Sequence, residues 1–556
     1  MNAEKEVIKL LNKELKLKSI SLEIPPDPNL GDYAFPCFQL SKKFKKNPVE
    51  IAKELSEKIK PSGLIKQVKQ AGPYLNFFIN KQKIAESLIK DILKGDYGAA
   101  KPKNKTYMIE YFHANTHKGL HIGHMRNISM GEALCRILEK AGYKVIRTNY
   151  QGDIGPHVAK CIWGYLNLKQ KEPKTGKGSW LGKIYTLANT KAKEEAVKEQ
   201  IREINNKLYT KDKKFINVWK KTRQYCLDDF DLFYREFGVK FDRLYFESEV
   251  EEPGKKIVKD MLKKGLAEED DEAIIINLEK YNLGVYVLLT RDGNALYSTK
   301  DLGLAEIKQK EFKFDKSIHI TGAEQILHFK QLFKTFEIIG SDMAKKSTHI
   351  PYGLVMLPEG KMSSREGTIV LFDDLKEKLF TAAEKAIKQR HKTLSKKEIE
   401  NRTKQIAYAA LKFSMINREN NRDILFDWEK ALDFEGETGP YVQYAYARIC
   451  SIFKKVGKFK GKLNASVLIT EYEEKLINYL SKFPSVIQQT AESYKPSLLT
   501  HYLLELAQAF NEFYHNCPIL HADKDTKQAR LGLVSAVKEI LKTGLDLLAI
   551  ESPEQM

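Results

Sequence analysis

Two segments of this chain hold residue types suited to a nucleotide. In His121-Ile122-Gly123-His124, two imidazoles stand three residues apart around a glycine. A positioned imidazole can donate a hydrogen bond to a phosphate as negative charge builds on it. Gly123 lets a ligand come close to the backbone. If the segment opens a helix, the free N–H groups of the first turn add a second attraction for an anion. Far downstream, Glu359-Gly360-Lys361-Met362-Ser363-Ser364-Arg365-Glu366-Gly367 combines two cations and two hydroxyls between glycines. Such a loop can close on a triphosphate, with Lys361 and Arg365 neutralising the leaving pyrophosphate and Ser363 and Ser364 beside them. Each segment alone has an ordinary reading, as helix-cap histidines or as a solvated basic loop.

The surrounding pattern supplies elements to hold the first segment. Tyr107-Met108-Ile109-Glu110-Tyr111-Phe112 is a buried-strand candidate. A Gly/His-rich loop follows, then a helix with Leu134, Ile137, Leu138 and Ala141 at helical spacing. Val145-Ile146-Arg147-Thr148 begins another strand. Strand, glycine loop, helix, strand is the opening of an α/β, doubly wound Rossmann-type fold. The lysine-rich, largely helical stretch from about 160 to 285 reads as an insertion between its halves. The second half resumes by Ser317-Ile318-His319-Ile320-Thr321, a strand entering a loop. These elements bound a catalytic domain over 98–395. Residues 1–97, with the strand-like Tyr74-Leu75-Asn76-Phe77-Phe78-Ile79, form a small α+β domain. Residues 396–556 are almost wholly helical, and Leu533, Val534, Val537, Ile540, Leu541 and Leu545 fit a helix bundle. The tract Thr175-Gly176-Lys177-Gly178-Ser179 lacks the spacing of a phosphate-binding P-loop.

Composition narrows the class. At 556 residues with 42% hydrophobic and 30% charged positions, the chain is an ordinary globular protein of about three domains. No apolar run approaches the ~18 residues of a membrane span. The N-terminal segment mixes Glu4, Glu6 and Glu14 with lysines and reads as a folded helix rather than a targeting peptide. The six cysteines are scattered without a CxxC pair. They predict no zinc site and no disulfide framework, and reduced thiols fit a cytoplasmic location. The net charge of +20 fits a polyanionic partner such as nucleic acid, and equally a lysine-rich proteome.

In this order and on this fold, the two segments resemble the HIGH and KMSKS signatures of class I aminoacyl-tRNA synthetases. The resemblance sharpens to the arginyl-tRNA synthetases and covers nearly the whole chain. Asn29-Leu30-Gly31-Asp32-Tyr33 and Gly72-Pro73-Tyr74-Leu75-Asn76-Phe77 resemble that family's N-terminal domain. The stretch from Phe434 to Ala445, Phe510-Asn511-Glu512-Phe513-Tyr514 and the C-terminal residues to Met556 resemble its anticodon-binding domain. The resemblance implies ligation of L-arginine to tRNA(Arg), with ATP and Mg2+ as substrate complex. It also implies an arginyl-adenylate intermediate and activation that needs tRNA bound first. A monomer is expected. The family pattern places amino-acid contacts at Glu110, Asn115, Tyr297, Asp301 and Gln325. Asn115 is expected to hold the α-amino or carboxylate end, with Asp301 and Glu110 reading the side chain. The physical case agrees, because a guanidinium has five donors in a plane and needs carboxylates and neutral acceptors. Tyr297 and Asp301, four apart, would share a helix face.

Contacts to tRNA are expected from Tyr74 and Asn76, which alternate onto one side of a strand, and from Tyr441 and Arg448 in the helical domain. Helical spacing also explains several of the aromatic residues at 441–446 as core. Two departures stand out. His113 occupies the place of a pocket serine or threonine, and Ser364 replaces the second lysine of KMSKS. Lys118, three residues before His121, is spaced to reach the phosphates instead. The rivals are a synthetase for another amino acid, a non-catalytic RNA-binding paralogue and a small-molecule nucleotidyltransferase. An aliphatic substrate does not call for two carboxylates, intact His121, His124 and Lys361 speak against the second, and length against the third.

Overall fold

The computed structural model describes the chain except residues 1–2, 18–19, 26, 28–29, 357–370, 391–392, 458 and 460–462. Lys361, Ser363, Ser364 and Arg365 therefore lie outside the described residues.

The described residues divide into two compact units. The larger takes in Gly98–Arg448, Pro484–Ala507 and Leu541–Met556. At its centre is a five-stranded parallel sheet of β1 (Thr106–Glu110), β2 (Lys144–Gln151), β3 (Arg243–Phe246), β4 (Lys316–Gly322) and β5 (Ser347–Tyr352), in the order β5-β4-β1-β2-β3. Met108, Ile109, Ile318 and Ile320 are fully buried on the central strands, as a sheet covered on both faces requires. The strand order reverses between β1 and β4. Ligands of doubly wound sheets bind at the carboxyl ends of the strands beside this reversal.

The helices that matter to the site are α1 (Ile122–Lys140), α2 (Lys177–Lys191), α3 (Lys213–Phe237), α4 (Glu247–Lys263), α5 (Tyr297–Glu311), α6 (Ile326–Ile338) and α7 (Lys396–Ile416). Helix α1 follows β1, and most of its length is buried. A short parallel pair, β6 (Val355–Met356) and β7 (Ile424–Leu425), lies beyond β5.

One expectation needs correcting. The stretch from about 160 to 285 is not a single insertion, because β3 falls within it and pairs with β2 as an edge of the central sheet. The strand is only four residues long, and Arg243 spends its guanidinium on Glu249 and Glu311. It therefore lacks the apolar run that marks β1 and β4. Two excursions remain, one helical before β3 and one after it. The latter carries an antiparallel sheet of Glu268–Asp270, Ala273–Asn277 and Val285–Leu289.

The smaller unit comprises Met1–Tyr97, Ile449–Phe483 and Gln508–Ile540. Its first part pairs Tyr33–Pro36, Tyr74–Ile79 and Ile65–Ala71 in an antiparallel sheet with Tyr74–Ile79 central. Val7, Leu11, Phe35, Leu75 and Phe77 form its dry core. Beyond residue 395 the chain is almost wholly helical. All six cysteines are buried.

Candidate active site

His121 is the N-cap residue of α1, in extended conformation, and Gly123 lies in the first turn. The His121 backbone N–H donates to Nδ1 of His124 at 3.0 Å. That bond fixes the tautomer of His124. With Nδ1 accepting, the proton of the neutral ring sits on Nε2. The two imidazoles lie 3.8 Å apart between ring centres. A Cβ on residue 123 would stand 3.1 Å from the His121 ring, so glycine there lets the first ring fold over the helix. Burial, then the Lys118 charge, lowers His121 to about 4. Burial followed by the charges of His121 and Lys118 holds His124 well below the ordinary histidine range. Both rings are neutral donors at pH 7.

These histidines open onto a cavity of about 370 Å³ floored by Asn127, Thr321, Gly322 and Tyr352 and walled by Gly353–Met356. Arg126 holds that wall. Its guanidinium donates to the carbonyls of Gly353 (2.7 Å), Leu354 (3.2 Å), Asn420 (2.9 Å) and Arg422 (2.7 Å). Asn127 Nδ2 donates to the Ile320 carbonyl at 2.9 Å, joining α1 to the end of β4. On the far side of residues 357–370, Leu371 bridges back to His121, and the Phe372 N–H donates to the Leu120 carbonyl at 2.8 Å. Met356 and Leu371, which flank the Lys361–Arg365 segment, thus both lie beside the histidines.

A second cavity of about 390 Å³ adjoins the first, and His113 and Gln325 line both. It gathers Glu110 from β1, Asn115 from the following loop, and Tyr297 and Asp301 from the first turns of α5. Asn115 Oδ1 accepts the Gly152 N–H at 3.0 Å, which leaves its NH2 end to donate to a carboxylate. A Cβ at Gly152 would stand 2.5 Å from that oxygen, so only glycine permits the approach. Asp301 Oδ2 accepts from His328 Nε2 at 2.7 Å. Tyr297 is 66% exposed at the mouth.

Glu110 lines the cavity too, but its carboxylate already pairs with Lys308 and with Nδ1 of His319 at 2.9 Å. Burial alone would raise this acid. Lys308 and His319 override burial and hold it far below the usual carboxylate range. The expected part of Glu110 as a second reader of the substrate side chain does not fit a charge spent in this way.

Several lining residues were not foreseen. Glu247 is buried against Lys300 at 2.7 Å, and Tyr150 carries a buried hydroxyl with no partner among the described residues. Asp153 accepts from Arg223 Nε at 2.8 Å and from the Ser248 N–H at 2.9 Å, which pins the Gly152 loop. The usable signal was positional, because Tyr150, Gly152 and Thr321 all sit at carboxyl ends of strands. His113 Nε2 donates to the Ile320 carbonyl at 3.2 Å, so its Nδ1 is the free acceptor between the two cavities.

Lys118 lines a third cavity of about 520 Å³. Its ammonium lies 5.5 Å from the centre of the Tyr185 ring. Burial, then the neighbouring Lys160 charge, pushes its pKa down. The glycine tract at 175–179 is the start of α2, and the Ser179 N–H there donates to Asp229 Oδ2 at 2.9 Å. A carboxylate already holds the place a phosphate would need.

The expected RNA contacts are mixed. Tyr74 packs edge-on against Phe38 at 5.8 Å, whereas Asn76 is only 3% exposed and its Oδ1 finds no partner among the described residues. Asn76 in this position cannot hydrogen-bond an incoming base without moving. Tyr441 is half-buried, Tyr446 is buried, and the Arg448 guanidinium lies 4.7 Å from the centre of the exposed Tyr444 ring. Among the described residues no cluster of His, Cys, Asp or Glu could hold a metal ion, and no helix is long and apolar enough to cross a membrane.

A histidine-capped helix at the switch point of a 5-4-1-2-3 parallel sheet, beside a carboxylate-bearing cavity, defines a nucleotide-dependent enzyme of the class I synthetase type. Comparison with known families makes the class definite. Residues 84–428 match the catalytic domain of class I (R) tRNA synthetases, 442–556 the DALR anticodon-binding domain, and 2–79 the arginyl-tRNA synthetase N-terminal domain. The chain is 36% identical to an arginine--tRNA ligase of Clostridioides difficile, covering 100% of this chain and 98% of that one. It is 38% identical to the arginine--tRNA ligase of Bdellovibrio bacteriovorus, over 96% and 93%. Among solved structures, Thermus thermophilus arginyl-tRNA synthetase superposes with a TM-score of 0.81 at 25% identity, covering 100% of this chain and 99% of that one. The chain belongs to the arginyl-tRNA synthetase family.

Proposed function

We propose that this protein attaches L-arginine to tRNA(Arg) in two steps. The arginine carboxylate attacks the α-phosphate of ATP, giving arginyl-adenylate and releasing pyrophosphate. A terminal ribose hydroxyl of the tRNA then takes the arginyl group and releases AMP. The observation that carries this reading is the adjoining pair of cavities, one lined by neutral His121 and His124 and the other by Asn115, Tyr297 and Asp301. Asp301 takes the guanidinium, Tyr297 covers it, and the NH2 of Asn115 takes the carboxylate. Gln325, at the seam, holds the α-amino end. Glu110 acts through Lys308 and His319 as a positioning residue for the cavity floor.

The Nε2–H of His124 and a ring N–H of His121 donate to the α-phosphate as it becomes five-coordinate. Lys361, Ser363, Ser364 and Arg365 approach the β- and γ-phosphates from a segment whose ends lie beside the histidines, and Lys118 supplies the cation that Ser364 does not. ATP enters as its magnesium complex, and the ion screens the pyrophosphate charge. Tyr74, Tyr441 and Arg448 belong to the tRNA surface, and Asn76 joins it if the strand yields to the RNA. A cytoplasmic monomer fits this role, with residues 1–97, 98–395 and 396–556 as its tRNA-binding, catalytic and anticodon-binding domains. Aminoacylation assayed with each amino acid in turn, using total tRNA and ATP, tests the reading. Charging by arginine alone is expected, and charging by another amino acid or by none overturns it.

A further inference from the structure

His328 stands between the proposed guanidinium partner and the wall behind it. Its Nε2 is 2.7 Å from Asp301 Oδ2, and its Nδ1 is 3.2 Å from the Tyr286 hydroxyl. Asp301 and His328 both line the second cavity. One carboxylate oxygen of Asp301 is therefore committed to the histidine, and the other is left for the substrate. We propose that His328 is a specificity-determining positioning residue, which shares the Asp301 carboxylate with the arginine guanidinium so that arginine binding and protonation of His328 compete.

This role rests on Asp301 taking the guanidinium, as proposed above. Neutral His328 satisfies both neighbours at once, because Nε2–H donates to Asp301 while Nδ1 accepts from Tyr286. In that state Asp301 keeps its full negative charge for the guanidinium. Protonated His328 donates to both neighbours, and its positive charge then faces the incoming guanidinium across a single carboxylate. Two cations sharing one anion bind less well than one. The other ionisable groups around the histidine do not relieve this. Glu247 is matched by Lys300, and Glu110 by Lys308 and His319. His349 on β5, behind the Phe329 ring, adds no negative charge, and burial lowers it to about 4. Glu324, beside Gly322, lines both cavities, but among the described residues it makes no bond to His328 or to Asp301. Geometry and protonation agree in direction, since burial tends to lower His328 but the bond and the charge of Asp301 raise it above the ordinary histidine value.

By linkage, arginine lowers the proton affinity of His328 as much as the proton weakens arginine. The test is calorimetric titration of the full-length protein with L-arginine between pH 6 and 8.5, in buffers of different ionisation enthalpy. Wild type is expected to release protons on binding and to tighten by about 5-fold or more as pH rises across that range. His328→Gln, which keeps an amide donor toward Asp301, is expected to show neither the release nor the pH dependence. Proton-free binding by wild type, or an unchanged pH profile in His328→Gln, overturns the inference while leaving arginine as the substrate. Absence of arginine binding by wild type at every pH removes both.

Discussion

At the scale of single residues, two side chains separate binding from chemistry. Asp301 is the one carboxylate among those expected to read the substrate that keeps an oxygen unspent, because Glu110 is taken by Lys308 and His319. Asp301→Asn should therefore weaken arginine by about 2–5 kcal/mol, the usual cost of removing one partner of a buried charge pair. ATP affinity should hardly change, and separate Michaelis constants for the two substrates check this. Lys118 makes the opposite prediction. Its ammonium is pressed against Tyr185 and lies close enough to His121 to lower that histidine. Lys118→Ala should slow adenylate formation by about 10²–10³-fold, comparable to the loss of one transition-state donor, with the arginine constant little altered. Pre-steady-state adenylate formation with tRNA present is the measurement, and a near-wild-type rate would return the burden to Lys361.

At the scale of elements, helix α1 does more than present histidines. Arg126, one turn past His121, donates to backbone carbonyls on both sides of the β6–β7 pair, so the wall of the ATP cavity hangs from the helix that carries the phosphate donors. Each carbonyl stranded in a buried setting costs about 1–3 kcal/mol. Arg126→Met should lower the melting temperature and raise the ATP constant, with the arginine constant nearly constant. Equal damage to both substrates would mean that the clamp is merely structural. The clamp was invisible in the sequence, since Arg126 in Gly123-His124-Met125-Arg126 looks like any helical arginine and its acceptors lie more than 200 residues away. What the sequence made legible was whatever repeats locally. The run from Tyr107 to Phe112 announced β1, the apolar spacing after His124 announced α1, and the motif residues fell where strand gives way to helix. What it hid was pairing between distant charges. The neutralisation of Glu110 by Lys308, the hold of His328 on Asp301 and the short edge strand β3 all depend on partners that only the fold brings together.

At the scale of the whole molecule, the larger unit holds histidines that burial and neighbouring positive charge keep neutral. His117 is wholly buried, its Nε2 2.8 Å from Thr222 Oγ1 and its Nδ1 2.9 Å from Thr116 Oγ1. The Thr222 hydroxyl donates to the Val218 carbonyl, so it must accept from Nε2–H, and Nδ1 is left to accept. Burial, together with the charges of His157 and Arg223, brings His117 down to about 3. His157 is also lowered to about 3, by burial and then by Lys118. An unfolded histidine titrates near 6.5. Between these values the unfolded chain holds protons that the folded chain refuses, so stability is full above pH 6.5 and is lost as pH falls toward 3. Each such histidine adds a slope of about 1.4 kcal/mol per pH unit across that window. Replacing His117 by Asn removes one titrating group. The variant should be less stable than wild type at pH 7.5 because packing is lost, yet its unfolding free energy should fall less steeply between pH 6 and 4, by about one proton. Urea unfolding at a series of pH values measures both quantities. An unchanged slope would mean that His117 takes up its proton in the folded protein, its Nδ1–H donating to Thr116 Oγ1 and that hydroxyl to the Gly152 carbonyl.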